Sequence, residues 1–496
     1  MNKIFGNALN PFYYLGALGF HFFWVVVVSG IYIYAFYKTG IKLSYPSVEY
    51  LTNEQWYLGG VMRSLHRYAS DALIVIMALH LMREFILGRY RGARWFAWVT
   101  GVPLIWLIFA AGINGYWMVW DKLAQYSVVT TMEWFDWLPI FSEPMSQSFI
   151  SQEMLTDRFF SLISFAHVTV PLVILFFLWV HIMHISSPVV NPRRALVLGM
   201  LLALLVLSLV KPVRSQGPAD MGIEPATVGI DWFYLYIYPL LDIWSKREVW
   251  MLVIGLSMLL TVLPWLPFRH KQIPVAEVNL ENCSGCRLCV ADCPYEAVVM
   301  RPRSDGMQFF AEAVVVPDRC VSCGICVGAC PSSNPFRSDA DYISGIEMPS
   351  SPISGLRAAM MNDLKRLKGN IRIMVFGCDN AANIERLRSQ SVATLSLPCI
   401  AMLPASFIEY ALHERHVDGV LITGCRGNDC YHRLGVLWIE QRLIAKREPR
   451  LRGRAERERI RKFWASSVDF GELALELESF RSSLRSLEPR RHSVAE

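Results

Sequence analysis

The chain has 496 residues, of which 53% are hydrophobic and 18% are charged. Because soluble domains carry about 25% charged residues, this composition argues against a wholly soluble protein. The apolar excess lies before residue 268, so the sequence predicts a membrane part followed by a soluble part. The net charge of +6 forms no basic stripe interleaved with aromatic residues, and we therefore expect no nucleic-acid partner.

The apolar half contains six segments that are long enough to cross about 30 Å of hydrocarbon. They lie near residues 15–37, 64–87, 98–119, 159–185, 194–210 and 249–266. Basic residues follow the second, fourth and sixth segments, whereas the connection from Asp121 to Arg158 is acidic. The positive-inside rule then places both termini and every cysteine on the cytoplasmic side of the membrane.

Four histidines in the apolar segments share one spacing. His66 and His80 lie on the second predicted helix, and His167 and His181 lie on the fourth, each pair fourteen residues apart. Fourteen residues advance an α-helix by about 21 Å and return to within about 40° of the same face. Ionisable side chains inside a membrane are costly and mark candidate functional sites. Because both helices run inward, the spacing predicts two bis-histidine iron sites, an outer one (His66, His167) and an inner one (His80, His181).

Glycines on the first and third predicted helices repeat this spacing. Gly30 and Gly115 fall at the outer depth, and Gly16 and Gly101 fall at the inner depth. A flat macrocycle between helices needs a close backbone approach that glycine permits. The alternative is that polar neighbours hold the histidines and that the glycines only aid helix packing; the shared spacing favours two haems.

Three segments resemble the cytochrome b family of bc and b6f complexes. RSLHRYASDALIVIMALHLMREF is similar to the second helix of that family, GYWMVWD to the end of the third, and RFFSLISFAHVTVPLVILFFLWVHIMHI to the fourth. The resemblance covers about residues 10–266. It implies an all-α transmembrane domain with two b haems and a reaction with membrane quinone.

The resemblance also implies roles for individual residues. His66 and His167 would ligate the haem b near the outer face, and His80 and His181 the haem b near the cytoplasm. Arg83 would meet a propionate of the inner haem.

The segment GIDWFYLYIYPLLD resembles the quinol-pocket stretch of the family, which usually reads Pro-Glu-Trp-Tyr. Asp231 stands where the glutamate would be, which implies a proton acceptor for quinol. The alternative is an interfacial helix whose Trp232, Tyr234 and Tyr236 belong to an aromatic belt.

All twelve cysteines lie between Cys283 and Cys430, and eight of them follow a duplicated pattern, C-x2-C-x2-C-x3-C-P. In this pattern three thiolates of one copy bind one [4Fe-4S] cluster, and the fourth ligates the other cluster. The predicted ligand sets are Cys283, Cys286, Cys289 and Cys330 for the first cluster, and Cys320, Cys323, Cys326 and Cys293 for the second. Structural zinc is the competing interpretation, but its ligands usually come as separated pairs. The pattern favours a two-cluster ferredoxin.

The next segment reads as a small α/β layer. IRIMVFG, VATLSLP and DGVLITG are strand-like runs separated by about twenty residues, which predicts three parallel strands. Cys378, Cys399 and Cys425 follow these strands and Cys430 comes five residues later, so four thiols should meet at one sheet edge. Buried free cysteines and a zinc site are the alternatives.

FGC, LPC and TGCRGNDCYHRLG resemble the delta subunit of methyl-viologen-reducing hydrogenases over about residues 371–445. That resemblance implies one [2Fe-2S] cluster held by Cys378, Cys399, Cys425 and Cys430. It also implies a cytoplasmic partner, an FAD-containing heterodisulfide-reductase-A-like subunit or a hydrogenase-like subunit. The residues between Lys446 and Lys462 alternate Arg and Glu densely, which predicts a solvated helix with i,i+4 pairs.

The predicted fold class is multidomain: an all-α transmembrane bundle of about six helices, an α+β ferredoxin-like domain and a small α/β parallel-sheet domain. The predicted domains are a cytochrome b-like domain (1–268), a ferredoxin domain (275–345), a delta-subunit-like domain (368–447) and a charged helical tail (448–496).

The predicted function is a membrane-bound oxidoreductase subunit that carries electrons between membrane quinone and a cytoplasmic flavoprotein. A membrane anchor and electron relay without its own quinone site is the alternative, and a redox sensor is a third. A homodimer is a further expectation that these families allow. The membrane potential favours electron flow toward the outer, positive side, and so favours quinone reduction.

Overall fold

The computed structural model describes residues 9–140, 143–149, 155–183, 190–266, 274–337, 342–413, 416–452 and 456–487. The chain divides into two compact units, Met1–Pro267 and Phe268–Glu496. This division separates the apolar half of the sequence from the half that contains every cysteine.

Each of the six predicted apolar segments forms a helix in the first unit. The helices of this unit are α1 (Leu15–Phe36), α2 (Ser44–Glu49), α3 (Val61–Ile86), α4 (Trp95–Val119), α5 (Lys122–Phe135), α6 (Asp157–Met183), α7 (Arg194–Val210), α8 (Ile237–Ile243) and α9 (Lys246–Val262). Within the described residues, four helices are long and apolar enough to cross a membrane: α1, α4, α6 and Lys246–Trp265. The apolar helix α7 is shorter, and α3 carries ionisable residues along its length, among them Arg67 and Asp71.

The long helices of the first unit pack in pairs. The histidine-bearing α3 packs against the glycine-bearing α1, and the histidine-bearing α6 packs against the glycine-bearing α4. The core between them is built from buried apolar side chains such as Leu18 and Phe22 of α1 and Ala69 and Leu73 of α3. Each histidine therefore has a glycine-bearing helix as its immediate neighbour.

The second unit begins with two short antiparallel strand pairs. Strand β1 (Glu277–Val278) pairs with β4 (Ile346–Glu347), and β2 (Val298–Pro302) forms a hairpin with β3 (Ala311–Val315). Two short helices lie between them and pack against each other: α10 (Leu288–Asp292) and α11 (Ile325–Ala329).

The two copies of the cysteine pattern repeat one backbone conformation. Gly285 (φ 66°) and Ser322 (φ 58°) precede the second cysteine of each copy, and Arg287 (φ 65°) and Gly324 (φ 72°) follow it. Positive φ lets the chain wrap tightly around a small volume, and only glycine adopts it without strain. The sequence repeat is thus a structural repeat, with glycine at a different one of the two positions in each copy.

A four-stranded parallel sheet forms the rest of the second unit. Its strands are β5 (Ile373–Cys378), β6 (Val392–Leu397), β7 (Gly419–Gly424) and β8 (Ile460–Trp464), in the order β6-β5-β7-β8. Ile373 is level with Val392 on one side and with Gly419 on the other. The three strands predicted from the sequence are present and parallel.

Helices cover both faces of this sheet, as a parallel sheet requires. The helices are α12 (Ile353–Arg366), α13 (Ala405–His413), α14 (Gly435–Leu443) and α15 (Phe470–Arg485). Met374 and Phe376 of β5 face the core shared with α12, α13 and α14, whereas Ile373 and Val375 face α15. The alternation follows from the two-residue period of a strand.

The prediction of a solvated helix over Lys446–Lys462 is wrong, because the fourth strand, β8, begins at Ile460. Some charges of this stretch pair with near neighbours outside any helix, such as Arg450 with Glu448 at 3.2 Å, and others contact distant elements. Arg459 donates to the carbonyl oxygen of Asp418 at 3.2 Å, and Lys462 donates to Glu440 at 2.8 Å. Helix α15 then closes the second face of the sheet, so the residues assigned to a separate tail complete the α/β layer.

Candidate functional site

The outer histidines, His66 and His167, lie close together between their helices, with their ring planes inclined by 64°. Their ring centres are 6.3 Å apart. A Cβ atom at Gly30 or at Gly115 would come within 2.9 Å of the Cε1 atom of His66 or His167, respectively. Each ring therefore occupies the space that the absence of a side chain leaves on the neighbouring helix.

A backbone carbonyl fixes the orientation of each outer imidazole. His66 Nδ1 lies 2.9 Å from the oxygen of Val26, and His167 Nδ1 lies 3.0 Å from the oxygen of Ala111. Both carbonyls stand four residues before the glycine on the same helix, one turn away. An Nδ1–H that donates to a carbonyl leaves Nε2 as the lone-pair nitrogen, which is how metal-binding histidines are usually held.

These residues fit a haem iron. With metal–imidazole bonds of about 2 Å, two rings that share one ion have centres about 6 Å apart. The observed ring separation matches this value, and the orienting hydrogen bonds leave both Nε2 atoms available. His66 and His167 are therefore suited to bind one iron from opposite sides.

The inner histidines repeat the arrangement less tightly. A Cβ atom at Gly16 would lie 3.5 Å from His80 Cε1, and one at Gly101 would lie 3.4 Å from His181 Cε1. The hydroxyl oxygen of Thr100, beside Gly101, lies 3.1 Å from His181 Nδ1. His80 Nδ1 is buried and has no hydrogen-bond partner among the described residues. Each inner ring thus lies against a glycine of the neighbouring helix, as each outer ring does.

Arg83 lies at the inner end of α3, next to Glu84. Its guanidinium is 2.7 Å from the Glu84 carboxylate, which also lies 3.5 Å from Arg94 and 3.8 Å from Arg89. Three arginines around one carboxylate leave an excess of positive charge. This excess suits the anionic propionates of a haem, as the sequence resemblance implied for Arg83.

Asp231 belongs to a group of polar side chains in the first unit, next to the outer histidine pair. Its Oδ2 atom is 2.8 Å from Arg67 Nη2 and accepts a hydrogen bond from the Tyr116 hydroxyl. Arg67 also pairs with Asp71, and its guanidinium lies 4.9 Å above the Tyr116 ring. Because Arg67 follows His66 and Tyr116 follows Gly115, this group adjoins the outer histidine pair along both helices.

The partners of Asp231, which are Arg67 and Tyr116, were not predicted from the sequence. Arg67 and Asp71 are ionisable and four residues apart on a helix that was predicted to span the membrane, which was a usable signal. No pattern in the sequence predicts the contacts of Tyr234. Its ring occupies the place of a side chain at Gly112, and its hydroxyl donates to the Ser70 oxygen at 3.1 Å. Tyr234 is buried whereas Trp232 and Tyr236 are exposed, so the aromatic-belt alternative describes only part of this segment.

Two small cavities in the second unit are lined by the two predicted thiol sets. The first cavity is lined by Cys283, Cys286, Cys289 and Cys330. The second cavity is lined by Cys293, Cys320, Cys323 and Cys326. The fourth cysteine of each copy lies in the cavity of the other copy, as the two-cluster pattern requires. Among the described residues, no group of three or more His, Cys, Asp or Glu side chains is placed to hold a single metal ion.

The four C-terminal cysteines are buried together at the carboxyl edge of the sheet. Cys378 ends β5, Cys425 directly follows the adjacent β7, and Cys399 follows β6 by two residues. A Cβ atom at Gly435 would overlap the Cys399 sulfur and lie 3.5 Å from the Cys430 sulfur.

These thiols are close enough to influence one another. Hydrogen bonding to Cys378 and burial raise the pKa of Cys425 to about 12, and burial and Cys430 raise the pKa of Cys399 well above its usual value. Metal binding by such thiols must release protons, because the thiolate is the ligand. The arrangement suits a metal cluster held at the sheet edge.

We expect Gly435→Val to abolish metal binding by the C-terminal cysteines, because the new side chain would occupy the position of the Cys399 sulfur. Iron content should fall by two atoms per chain, and the visible absorbance of the [4Fe-4S] clusters should persist. Gly427→Val is the matched control, since no atom lies within 4 Å of a Cβ at Gly427 in the same cysteine loop. Full iron content in Gly435→Val would contradict the four-cysteine site.

Three family models match consecutive parts of the chain. The cytochrome b/b6 model matches residues 1–188, the 4Fe-4S dicluster domain model matches residues 282–334, and the methyl-viologen-reducing hydrogenase delta subunit model matches residues 372–488. The chain thus joins segments similar to these three families. The family resemblances of the sequence motifs are confirmed within these ranges: the first match does not reach the predicted quinol-pocket stretch, and the third extends through β8 and α15 instead of ending near residue 445.

The fusion is a multi-pass membrane protein for electron transfer, with a haem b domain and 4Fe-4S clusters. The cytochrome b/b6 match ends before Asp231, so that residue lies outside the matched range. A solved structure titled "Hyperthermophilic respiratory Complex III" is similar at 22% sequence identity, over 53% of this chain and 77% of that chain, with a TM-score of 0.44.

Proposed function

We propose that this fusion carries single electrons between membrane quinone and a cytoplasmic partner, through two b haems, two [4Fe-4S] clusters and one [2Fe-2S] cluster. One observation carries the proposal: each of the four histidine rings lies against a glycine of the neighbouring helix, in an outer and an inner pair. The same chain also holds three groups of four cysteines. Haem b and iron–sulfur clusters each supply one-electron chemistry when bound. The oxidoreductase activity then belongs to the complex that this subunit forms with its partners.

The ligand assignments follow the geometry described above. His66 and His167 would hold the outer haem, and His80 and His181 the inner one. Each [4Fe-4S] cluster would be held by the four cysteines that line one cavity. The [2Fe-2S] cluster would be held by the four cysteines at the sheet edge.

Asp231 is our candidate for the group that exchanges a proton with quinone. Arg67 and Tyr116 hold its Oδ2 atom, and its Oδ1 atom accepts from the backbone N–H of Phe233 at 2.9 Å. Trp232 and Phe233, the residues after it, are exposed on the surface of the apolar unit, where a membrane-dissolved ring could approach. Proton exchange at Asp231 and electron exchange at the adjacent outer histidine pair would occur within one neighbourhood.

We further propose that the iron–sulfur domains lie in the cytoplasm and that the partner is an FAD-containing heterodisulfide-reductase-A-like or hydrogenase-like subunit. The positive charges after the second, fourth and sixth helical segments support this orientation. Electrons delivered by such a partner would move toward the positive side of the membrane, which favours reduction of quinone. The delta-subunit family match supports a hydrogenase-type partner. A homodimer of the whole chain is compatible with this arrangement.

Asp231→Asn tests the quinone reaction. We expect this variant to lose the quinone-dependent change of the haem absorbance by at least tenfold in rate, because an amide cannot take up the proton. The oxidised and reduced haem spectra should stay as in the parent. Asp242→Asn is the matched control: Asp242 also accepts a hydrogen bond from a tyrosine, Tyr126 at 2.7 Å, and it lies away from the histidines in sequence.

The second candidate function is a membrane anchor and electron relay without its own quinone site. The position of Asp231 beyond the matched cytochrome b/b6 range favours it. Equal rates of quinone-dependent haem turnover in Asp231→Asn and in the parent would support this second function and contradict the first.

A further inference from the structure

The second cavity of the ferredoxin part adjoins the C-terminal cysteine site. Cys323 of that cavity and Cys399 of the sheet edge are buried in one small apolar cluster with Ile325 and Ala401. Two thiols from two different predicted clusters therefore share one buried site.

Glycine permits this close approach. A Cβ atom at Gly324 would overlap the side chain of Met402, and one at Gly328 would overlap the carbonyl oxygen of Ala401. Both glycines belong to the loop and short helix that carry Cys323 and Cys326. Their backbone is thus in contact with the loop that follows Cys399.

A hydrogen bond joins the two sites at a second point. The Tyr295 hydroxyl lies 2.9 Å from His432 Nδ1. Tyr295 stands two residues after Cys293, and His432 stands two residues after Cys430. The contact connects a ligand loop of the second cavity to a ligand loop of the C-terminal site.

A buried ion pair fixes the contact. The Arg442 side chain is 1% exposed, pairs with Asp292, and donates to the Ala401 oxygen at 2.6 Å. Asp292 directly precedes Cys293, and Arg447 binds its other oxygen at 2.7 Å. The Arg442 guanidinium thus contacts one ligand loop of each site.

The first cavity has different surroundings. Cys286, one of its lining residues, is exposed, whereas Cys323 and Cys326 of the second cavity are buried. The first cavity borders the surface of the second unit, whereas the second cavity borders the C-terminal site.

We propose that the three clusters transfer electrons in series. The [4Fe-4S] cluster of the second cavity would exchange electrons directly with the [2Fe-2S] cluster at the sheet edge. The ligands of the first are Cys293, Cys320, Cys323 and Cys326, and those of the second are Cys378, Cys399, Cys425 and Cys430. This inference rests on the proposed function for the presence of the clusters and adds their order and the contact between them. Tyr295 and His432 are positioning residues for this transfer. The other end of the series is the cluster of the first cavity, at the surface of the second unit, with the ligands Cys283, Cys286, Cys289 and Cys330. In each step one electron leaves one cluster and reduces the next, and no proton or further reactant is needed.

Electron paramagnetic resonance of the reduced, full-length protein tests the order. A paramagnetic neighbour speeds the spin relaxation of a [2Fe-2S] signal, so the microwave power that half-saturates this signal reports which cluster is adjacent. We expect Cys320→Ala, which removes a ligand of the second cavity, to lower that power severalfold. Cys286→Ala, which removes a ligand of the first cavity, is the matched control and should leave it unchanged.

The possible outcomes separate this inference from the proposed function. A larger effect of Cys286→Ala than of Cys320→Ala, or no effect of either, overturns the order proposed here while the proposed cofactors stand. Absence of any [2Fe-2S] signal from the unsubstituted chain overturns both the inference and the proposed function.

Tyr295→Phe tests the hydrogen bond without removing a ligand. After pulsed reduction of the [4Fe-4S] clusters, the electron should reach the [2Fe-2S] cluster severalfold more slowly in Tyr295→Phe, with all reduction potentials unchanged. Tyr342→Phe is the control, since Tyr342 lies near Cys330 of the first cavity. An unchanged rate in Tyr295→Phe overturns the positioning role of Tyr295 and His432.

Discussion

Gly115→Val should lower the haem b content of the chain from the two haems proposed here to one. A Cβ atom at this position would already lie 2.9 Å from His167 Cε1, and the two further methyl groups of valine need space that the ring occupies. Overpacking a filled site typically costs about 1–3 kcal/mol, and here it also displaces an iron ligand. The pyridine haemochrome assay on the detergent-solubilised protein gives the haem content, and the remaining haem should keep a bis-histidine spectrum.

Gly199→Val is the matched control for this substitution. Gly199 lies on α7 of the same unit, and no atom lies within 4 Å of a Cβ placed there. We expect this variant to retain both haems. Two haems in Gly115→Val, or equal losses in both variants, would contradict the assignment of the outer site to His66 and His167.

Asp292→Ala should destabilise the second unit strongly. Asp292 and Arg442 have side chains that are only 2% and 1% exposed, and Arg447 depends on the same carboxylate. Removing one partner of a buried ion pair costs about 3–5 kcal/mol, because the remaining charge stays buried without compensation. The temperature at which the full-length protein loses its iron–sulfur absorbance should fall clearly below that of the parent.

Glu448→Ala provides the comparison for a surface pair. Glu448 lies 3.2 Å from Arg450, and both side chains are more than half exposed. Surface pairs contribute about 0–1 kcal/mol, so this variant should lose its absorbance within a few degrees of the parent. Similar losses of thermal stability in the two variants would show that burial of Arg442 does not carry the effect.

The six apolar helices of the first unit, the strands β5 to β7 and the pairing of histidines with glycines could be predicted from the sequence. Each depends on a local period that burial imposes. An apolar run of membrane length predicts a helix, and a spacing of fourteen returns a side chain to nearly the same helix face. The grouping of the eight ferredoxin cysteines around two cavities was predictable for a similar reason, because the spacing within each copy fixes the loop.

The remaining features depend on contacts between distant residues. The strand β8 was missed because Arg461 and Lys462 resemble a solvated surface, although their charges pair with Glu476 and Glu440 of two helices. The helix α15 did carry a signal, since Leu473, Leu477, Phe480 and Leu484 follow a helical period and are buried on the sheet. No local pattern places Tyr295 beside His432, because 137 residues separate them.

The two cysteine repeats differ at one position that bears on the docking of the C-terminal layer. Arg287 and Gly324 occupy the same place in the two copies and share a left-handed backbone, and a Cβ atom at Gly324 would overlap the side chain of Met402. A long side chain at position 324 would therefore prevent docking of the C-terminal layer. Exchanging the two residues should abolish this packing, although both repeats would keep their four cysteines.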